Sequence, residues 1–128
     1  MKSIQIERFG GPEVLVIKDM DIGKPGPKEV LIKNKSIGLN FIDVYHRTGL
    51  YPIPLPSGIG LEASGVIEEI GSDVKLFKVG DRVTHASMPI GAYSEKQIMP
   101  EEKLISVPDK ISDEVASVSY THLTLPTN

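Results

Sequence analysis

The stretch GIGLEASGVIEEIG, Gly58–Gly71, decides what kind of fold this chain builds. Its first half, GIGLEASG, superficially matches the G-x-G-x-x-x-G loop that seats a dinucleotide pyrophosphate. Such a loop works only where it opens a helix, because unpaired backbone N–H groups and the positive end of the helix dipole hold the phosphates. Here the glycines lead into a strand, so we read no phosphate cradle and assign the segment to a β-rich architecture. Gly60 and Gly65 then mark a bulge or a point where another backbone comes close.

Outward from this strand the pattern stays β. Downstream, FKVGDRV is a turn into a further strand, and GAYSEKQIMP and KLISVP read as two more. Upstream, MKSIQIERFGGPEVLVIKDM reads as strands at Ser3–Glu7 and Val14–Lys18 around a GGPE turn. GKPGPKEV is a loop, and EVLIKNKSIGL alternates apolar and polar residues as a half-buried strand does. Twelve glycines and ten prolines in 128 residues fit many turns between short strands. About seven strands with small helices predict a mainly β domain, a compact and partly open barrel.

The period changes once, in GLNFIDVYHRTGLYP, Gly38–Pro52. Phe41, Val44, Tyr45 and Thr48 fall at i, i+3, i+4 and i+7, one face of a helix, with Asp43, His46 and Arg47 turned away from it. Asn40 suits the N-cap, Asp43 the positive end of the dipole and Gly49 the C-terminal stop, so we expect a helix of two turns. YPIPLPSG after it must be extended or turned, because each proline restricts the residue before it.

Composition narrows the function classes. The length is that of one domain able to bury a core unaided. The chain is 40% hydrophobic and 24% charged with a net charge of −3, so it shows no basic footprint for nucleic acid or an anionic membrane. No charged-then-apolar leader and no apolar run of about 18 residues predicts neither a signal peptide nor a membrane span. Zero cysteines exclude disulfides and thiolate-held metal within these residues and fit a cytoplasmic setting.

The end of the chain reads differently. SDEV looks like a helix N-terminus with Ser112 as cap. After Ala116, SVSYTHLTLPTN drops the apolar periodicity at once, and VSYTHLTLPT resembles one frame of a transposon-type sequencing adapter. Residues 1–116 are therefore read as the domain and 117–128 as an adapter-derived tail, the alternative being a native polar tail. On either reading Tyr120 and His122 carry no function.

Taken in order, GPEVL, PGPKEVLIK, GLNFIDVYHRTGLYP, LPSGIGLEASGVIEEIGSDV, FKVGDRV, GAYSE and LISVPDKIS resemble the N-terminal half of NADPH-dependent quinone oxidoreductases. These form the zinc-free, zeta-crystallin-like branch of the medium-chain dehydrogenase/reductase superfamily. The resemblance runs from Met1 to about Ala116. It implies a GroES-like β-barrel domain, truncated before a Rossmann domain that would hold most of the NADPH. It also implies a small-molecule quinone or α,β-unsaturated carbonyl as hydride acceptor and a homodimeric intact parent. A fragment lacking the second domain would be inactive. In zinc-bearing relatives a cysteine stands where this chain has Asn40 and a histidine where it has Leu61. Neither residue supplies a zinc donor, so the resemblance implies metal-free chemistry.

The family likeness places the cofactor against Phe41, Ile42, Asp43, Val44 and Tyr45, with Asn40 beside them, and points to Tyr45, Tyr51 and Asn40 as the catalytic candidates. The residues themselves allow two readings each. Asn40 hydrogen-bonds a nicotinamide or substrate carbonyl, or caps the helix. Asp43 orders an active-site water or ribose hydroxyls, or complements the helix dipole. Tyr45 and Tyr51 steady or protonate the oxygen that gains charge during quinone reduction, or, for Tyr45, simply face the core. Glu62 is read as an ion-pair partner of Arg82 or of an arginine elsewhere in the parent. His46, His85 and Arg47 are read as solvated or capping groups. Two rivals stand: an enoyl or alkenal reductase of the same superfamily, and a stand-alone GroES-like binding module.

Overall fold

The computed structural model describes residues 1–117. Among the described residues eight strands form two open antiparallel sheets. The smaller is ordered β2 (Val16–Asp19), β1 (Lys2–Ile6), β4 (Ser57–Gly58); the larger is β7 (Lys96–Pro100), β3 (Glu29–Gly38), β5 (Glu62–Ile70), β6 (Arg82–Ala86), β8 (Ile105–Ser106). The mainly β class and the partly open architecture read from the sequence are what the structure has. An isolated bridge, Ser3 to Ser94, ties the small sheet to the segment entering β7.

Strand β3 is the axis of the larger sheet. Its alternation places Val30 and Ile32 in a core with Ile67, Val83, Met99 and Leu104, while Lys33 and Lys35 face solvent. A second core, Ile6, Val14 and Ile59 with Tyr93 packed on it, lies under the smaller sheet. The close approach expected at Gly65 is present: a Cβ there would overlap the Lys33 carbonyl. Beside it, the β3–β5 register slips between Asn34 and Ser36. GIGLEASG does enter a strand, as Glu62 opens β5 directly.

One local expectation shifts. The second strand begins at Val16 and not Val14, because Pro12–Val14 makes a single 3-10 turn whose proline sits at the first helical position. Ser112 does cap a helix: its Oγ accepts from the Val115 N–H at 3.2 Å, and residues 113–117 are helical. Of the tail assigned to 117–128, only Ser117 is described; Tyr120, His122 and the rest lie outside the described residues. Among the described residues no helix is long and apolar enough to cross a membrane.

Candidate functional site

Helix α1 (Phe41–Thr48) occupies the span the sequence predicts, with Asn40 at the N-cap and Gly49 closing it in the left-handed region at φ 87°. Its orientation does not follow the expectation. The face placed outward by periodicity is the buried one: Asp43 is 4% exposed and His46 7%. The apolar stripe points out, with Phe41 80% exposed and Val44 36%. Periodicity groups residues on a face but does not say which face meets the protein. Here the polar face finds a phenol and a backbone loop to bond, so it goes inward.

The start of the helix is closed reciprocally by Asn40 and Asp43. Asp43 Oδ2 accepts from the Asn40 backbone N–H at 3.1 Å, closing the first turn. Asn40 and Asp43 thus form a capping box, and the Asn40 Nδ2 also donates to Glu62 Oε1 at 3.4 Å. Glu62 is 2% exposed and lies directly opposite Gly38 across the β3–β5 pair. A Cβ at Gly38 would overlap the Glu62 carboxylate, so the glycine opens the path by which that carboxylate reaches Asn40. Because a carboxylate only accepts, this contact fixes the amide with its nitrogen toward Glu62.

Arg82 is not Glu62's partner. The β5–β6 register sets Glu62 opposite Ala86 and Arg82 opposite Val66, four residues along the strand. The guanidinium instead bonds the Pro108 and Ile111 carbonyls and the Asp113 carboxylate, at 3.0, 2.6 and 3.2 Å. Arg47 is likewise not a free surface charge: its Nε donates to the Gly10 carbonyl at 3.2 Å, and the Gly10 N–H returns a bond to the Arg47 carbonyl at 3.0 Å.

Tyr45 is half-buried and not part of the core. Its ring stands edge-on to Tyr51, centroids 5.4 Å apart at 78°, and Tyr51 is 51% exposed. The backbone N–H of Tyr51 bonds the Tyr45 carbonyl at 3.3 Å, which folds the proline-rich segment against the end of α1. Phe41, Val44 and Tyr45 therefore share the outer face of α1 and Tyr51 packs on Tyr45, whereas the Asn40 side chain bonds the buried Glu62 at the start of the helix, Ile42 is half-buried and Asp43 is buried. An open groove of about 480 Å³ between the β1–β2 hairpin and the end of β3 is a separate place; Asn40, Tyr45 and Tyr51 do not line it.

His46 and His85 are buried, contrary to expectation. His85 is 1% exposed on β6, and burial pushes its imidazole down from 6.5 to about 4. The Gln97 side chain and the Leu61 backbone oppose that shift, yet neither ring nitrogen has a well-formed hydrogen bond among the described residues. Nor do three or more His, Asp or Glu side chains converge on a possible metal position among the described residues. Asn40 and Leu61 carry neither a thiolate nor an imidazole.

One residue of the site escaped sequence reading. Tyr93, in the GAYSE segment, donates its phenol proton to Asp43 Oδ2 at 2.6 Å across 50 residues of chain. Burial, then the hydrogen bond and charge of Asp43, hold this phenol well above the usual tyrosine range, so it remains the donor. The only local signal was a tyrosine flanked by small residues in a turn-rich segment.

Comparison with known proteins bears on this geometry. The alcohol dehydrogenase GroES-like domain model matches residues 26–109. A quinone oxidoreductase of Pseudomonas aeruginosa is 55% identical over 117 residues, 91% of this chain and 36% of that protein. A 2-haloacrylate reductase of a Burkholderia species is 45% identical over 108 residues, 80% of this chain and 32% of that protein. The crystal structure of Escherichia coli quinone oxidoreductase complexed with NADPH superposes with a TM-score of 0.91 at 40% identity, covering 98% of this chain and 41% of that one. The chain thus spans about a third of the length of the curated relatives it matches, 36% for the first of them.

Proposed function

Since this chain belongs to the alcohol dehydrogenase GroES-like domain family, in its zinc-independent quinone-oxidoreductase branch, we propose that it forms the acceptor-side wall of an NADPH-dependent quinone reductase. The whole protein would carry a nucleotide-binding domain besides this one and would act as a homodimer in the cytoplasm. NADPH, held chiefly by that other domain, supplies the hydride. This chain contributes no pyrophosphate seat, because its glycine-rich segment runs into β5. What it contributes is a flat apolar face, Phe41 and Val44, edged by the Asn40 amide, which suits a nicotinamide ring and a flat acceptor lying over it.

The work of these residues is orientation and electrostatics. Hydride addition to a quinone leaves an electron pair on oxygen, giving a hydroquinone monoanion that one proton completes. The Asn40 N–H not engaged by Glu62 and the Tyr45 hydroxyl are the donors that steady this oxygen. The hydroxyl of Tyr51, on the exposed side, lies where a proton can arrive from solvent. Buried groups hold the donors from behind, so little rearrangement accompanies the change in charge.

The observation that carries this reading is the inverted helix: an apolar stripe turned outward beside an amide and two phenols. The test is to express the gene through and beyond this segment and follow NADPH oxidation with 1,4-benzoquinone and crotonaldehyde as competing acceptors, with a chelator control. Preference for the quinone supports the proposal. Preference for crotonaldehyde favours the second reading, an enoyl-type reductase, for which the 45% identity to 2-haloacrylate reductase speaks. No oxidation of NADPH with either acceptor would leave the binding-module reading.

A further inference from the structure

The wall residues are held by groups behind them, and one connection spans most of the domain. Tyr93 is strapped on both sides by backbone: its N–H bonds the Ile59 carbonyl at 3.0 Å and its carbonyl takes the Ile4 N–H at 2.8 Å. Its ring lies where a side chain at Gly60 would be, and Gly60 holds φ 102°, a conformation that other residues resist. The ring is thus fixed on the small-sheet core before its hydroxyl reaches α1. That hydroxyl meets Asp43 Oδ2, the same oxygen that accepts the Asn40 backbone N–H at 3.1 Å. Asp43 is 4% exposed, so this oxygen cannot exchange either partner for solvent cheaply.

We propose that Tyr93 is a positioning residue: through Asp43 it pins the first turn of α1, and so sets where Asn40 and Tyr45 stand toward the acceptor. The inference rests on the reading of Asn40 and Tyr45 given above. It also reassigns Asp43, which serves as the bolt between two segments and does not touch the ligand. On this reading the acceptor touches neither the buried Asp43 nor Tyr93, whose exposed side lines the groove beside the β1–β2 hairpin, so their loss acts on geometry. Displacement of reacting partners by about an ångström lowers turnover by roughly a hundredfold, while the ground-state contacts that set KM largely survive.

The test uses the whole protein with NADPH and 1,4-benzoquinone. Tyr93→Phe keeps the ring and removes only the hydroxyl. It should lower kcat by about ten- to a hundredfold, with KM for both substrates within about twofold. In an Asp43→Ala background, which removes the accepting oxygen altogether, the same change should have no further effect on kcat, because the connection is already broken. Hydrogen exchange on this chain gives a second readout: the Asn40 amide should exchange faster in Tyr93→Phe. Unchanged turnover or unchanged Asn40 exchange in Tyr93→Phe would overturn the proposal, as would effects that multiply in the double variant. Asn40→Ala and Tyr45→Phe separate the two ideas. If they keep full turnover while Tyr93→Phe loses it, the reading of the wall fails and Tyr93 acts on something else. If they lose turnover while Tyr93→Phe keeps it, only the positioning role fails.

Discussion

Acidification from pH 7 to pH 5 is expected to destabilise this domain through His85. Its imidazole sits on β6 with 1% exposure, and burial lowers its pKa from 6.5 to about 4. The unfolded chain keeps the ordinary value. Between the two values the unfolded state therefore takes up a proton that the folded state refuses, and stability falls as pH falls. The contribution is fully present above pH 6.5 and is lost progressively toward pH 4. A gap of about 2.5 units is worth about 3 kcal/mol over the whole window, and about 2 kcal/mol of it falls between pH 7 and pH 5. Urea denaturation followed by far-UV circular dichroism reads this as a midpoint lowered by about 1 M. His85→Gln removes the titrating group, so whatever its absolute stability, its midpoint should move much less over the same interval. All other titrating groups are common to both proteins. Equal loss in the parent and His85→Gln would refute the reasoning, as would a folded-state titration of the His85 ring near pH 6.5.

Other outcomes follow from the geometry. Gly65→Ala forces a Cβ into the Lys33 carbonyl and should cost about 1–3 kcal/mol by opening the β3–β5 pair, measured as a lowered melting temperature. In the whole protein, Tyr45→Phe should lower kcat with quinone by about ten- to a hundredfold while NADPH affinity holds; unchanged turnover demotes the residue to packing. Prolonged treatment with a chelator should leave turnover intact, and elemental analysis should find no stoichiometric zinc. Asn40 and Leu61 offer no donors for it.

The parts of this molecule that were readable in the sequence are those fixed by local stereochemistry. Alternation gave β3, Asn40 and Gly49 bounded α1, and Ser112 marked the start of the last described helix. Gly65 announced a tight approach because no other residue fits beneath a neighbouring carbonyl. What stayed hidden depends on partners far along the chain. The direction of α1 was misread because its polar side is met by Tyr93, 50 residues from Asp43, and by the Gly10 loop. Burial of His85 was equally invisible: which face of β6 is covered depends on its pairing with Ala63 of β5 and on the Gln97 side chain beside the ring, not on its own flanking residues. Glu62 drew attention as a charge, but register alone decided that it faces Gly38 and Asn40 and not Arg82.

Helix α1 is fastened at three places to three different segments: Arg47 to Gly10, Asp43 to Tyr93, and Asn40, at its cap, to Glu62. A tripod of this kind does not rock. On the proposed reading, bulkier or differently curved guests would be accommodated by residues 50–56, where Tyr51 projects from a run of prolines. An engineer wishing to broaden the acceptor range should diversify that rim and leave the mounted helix alone, since each foot removed loosens the platform without reshaping it.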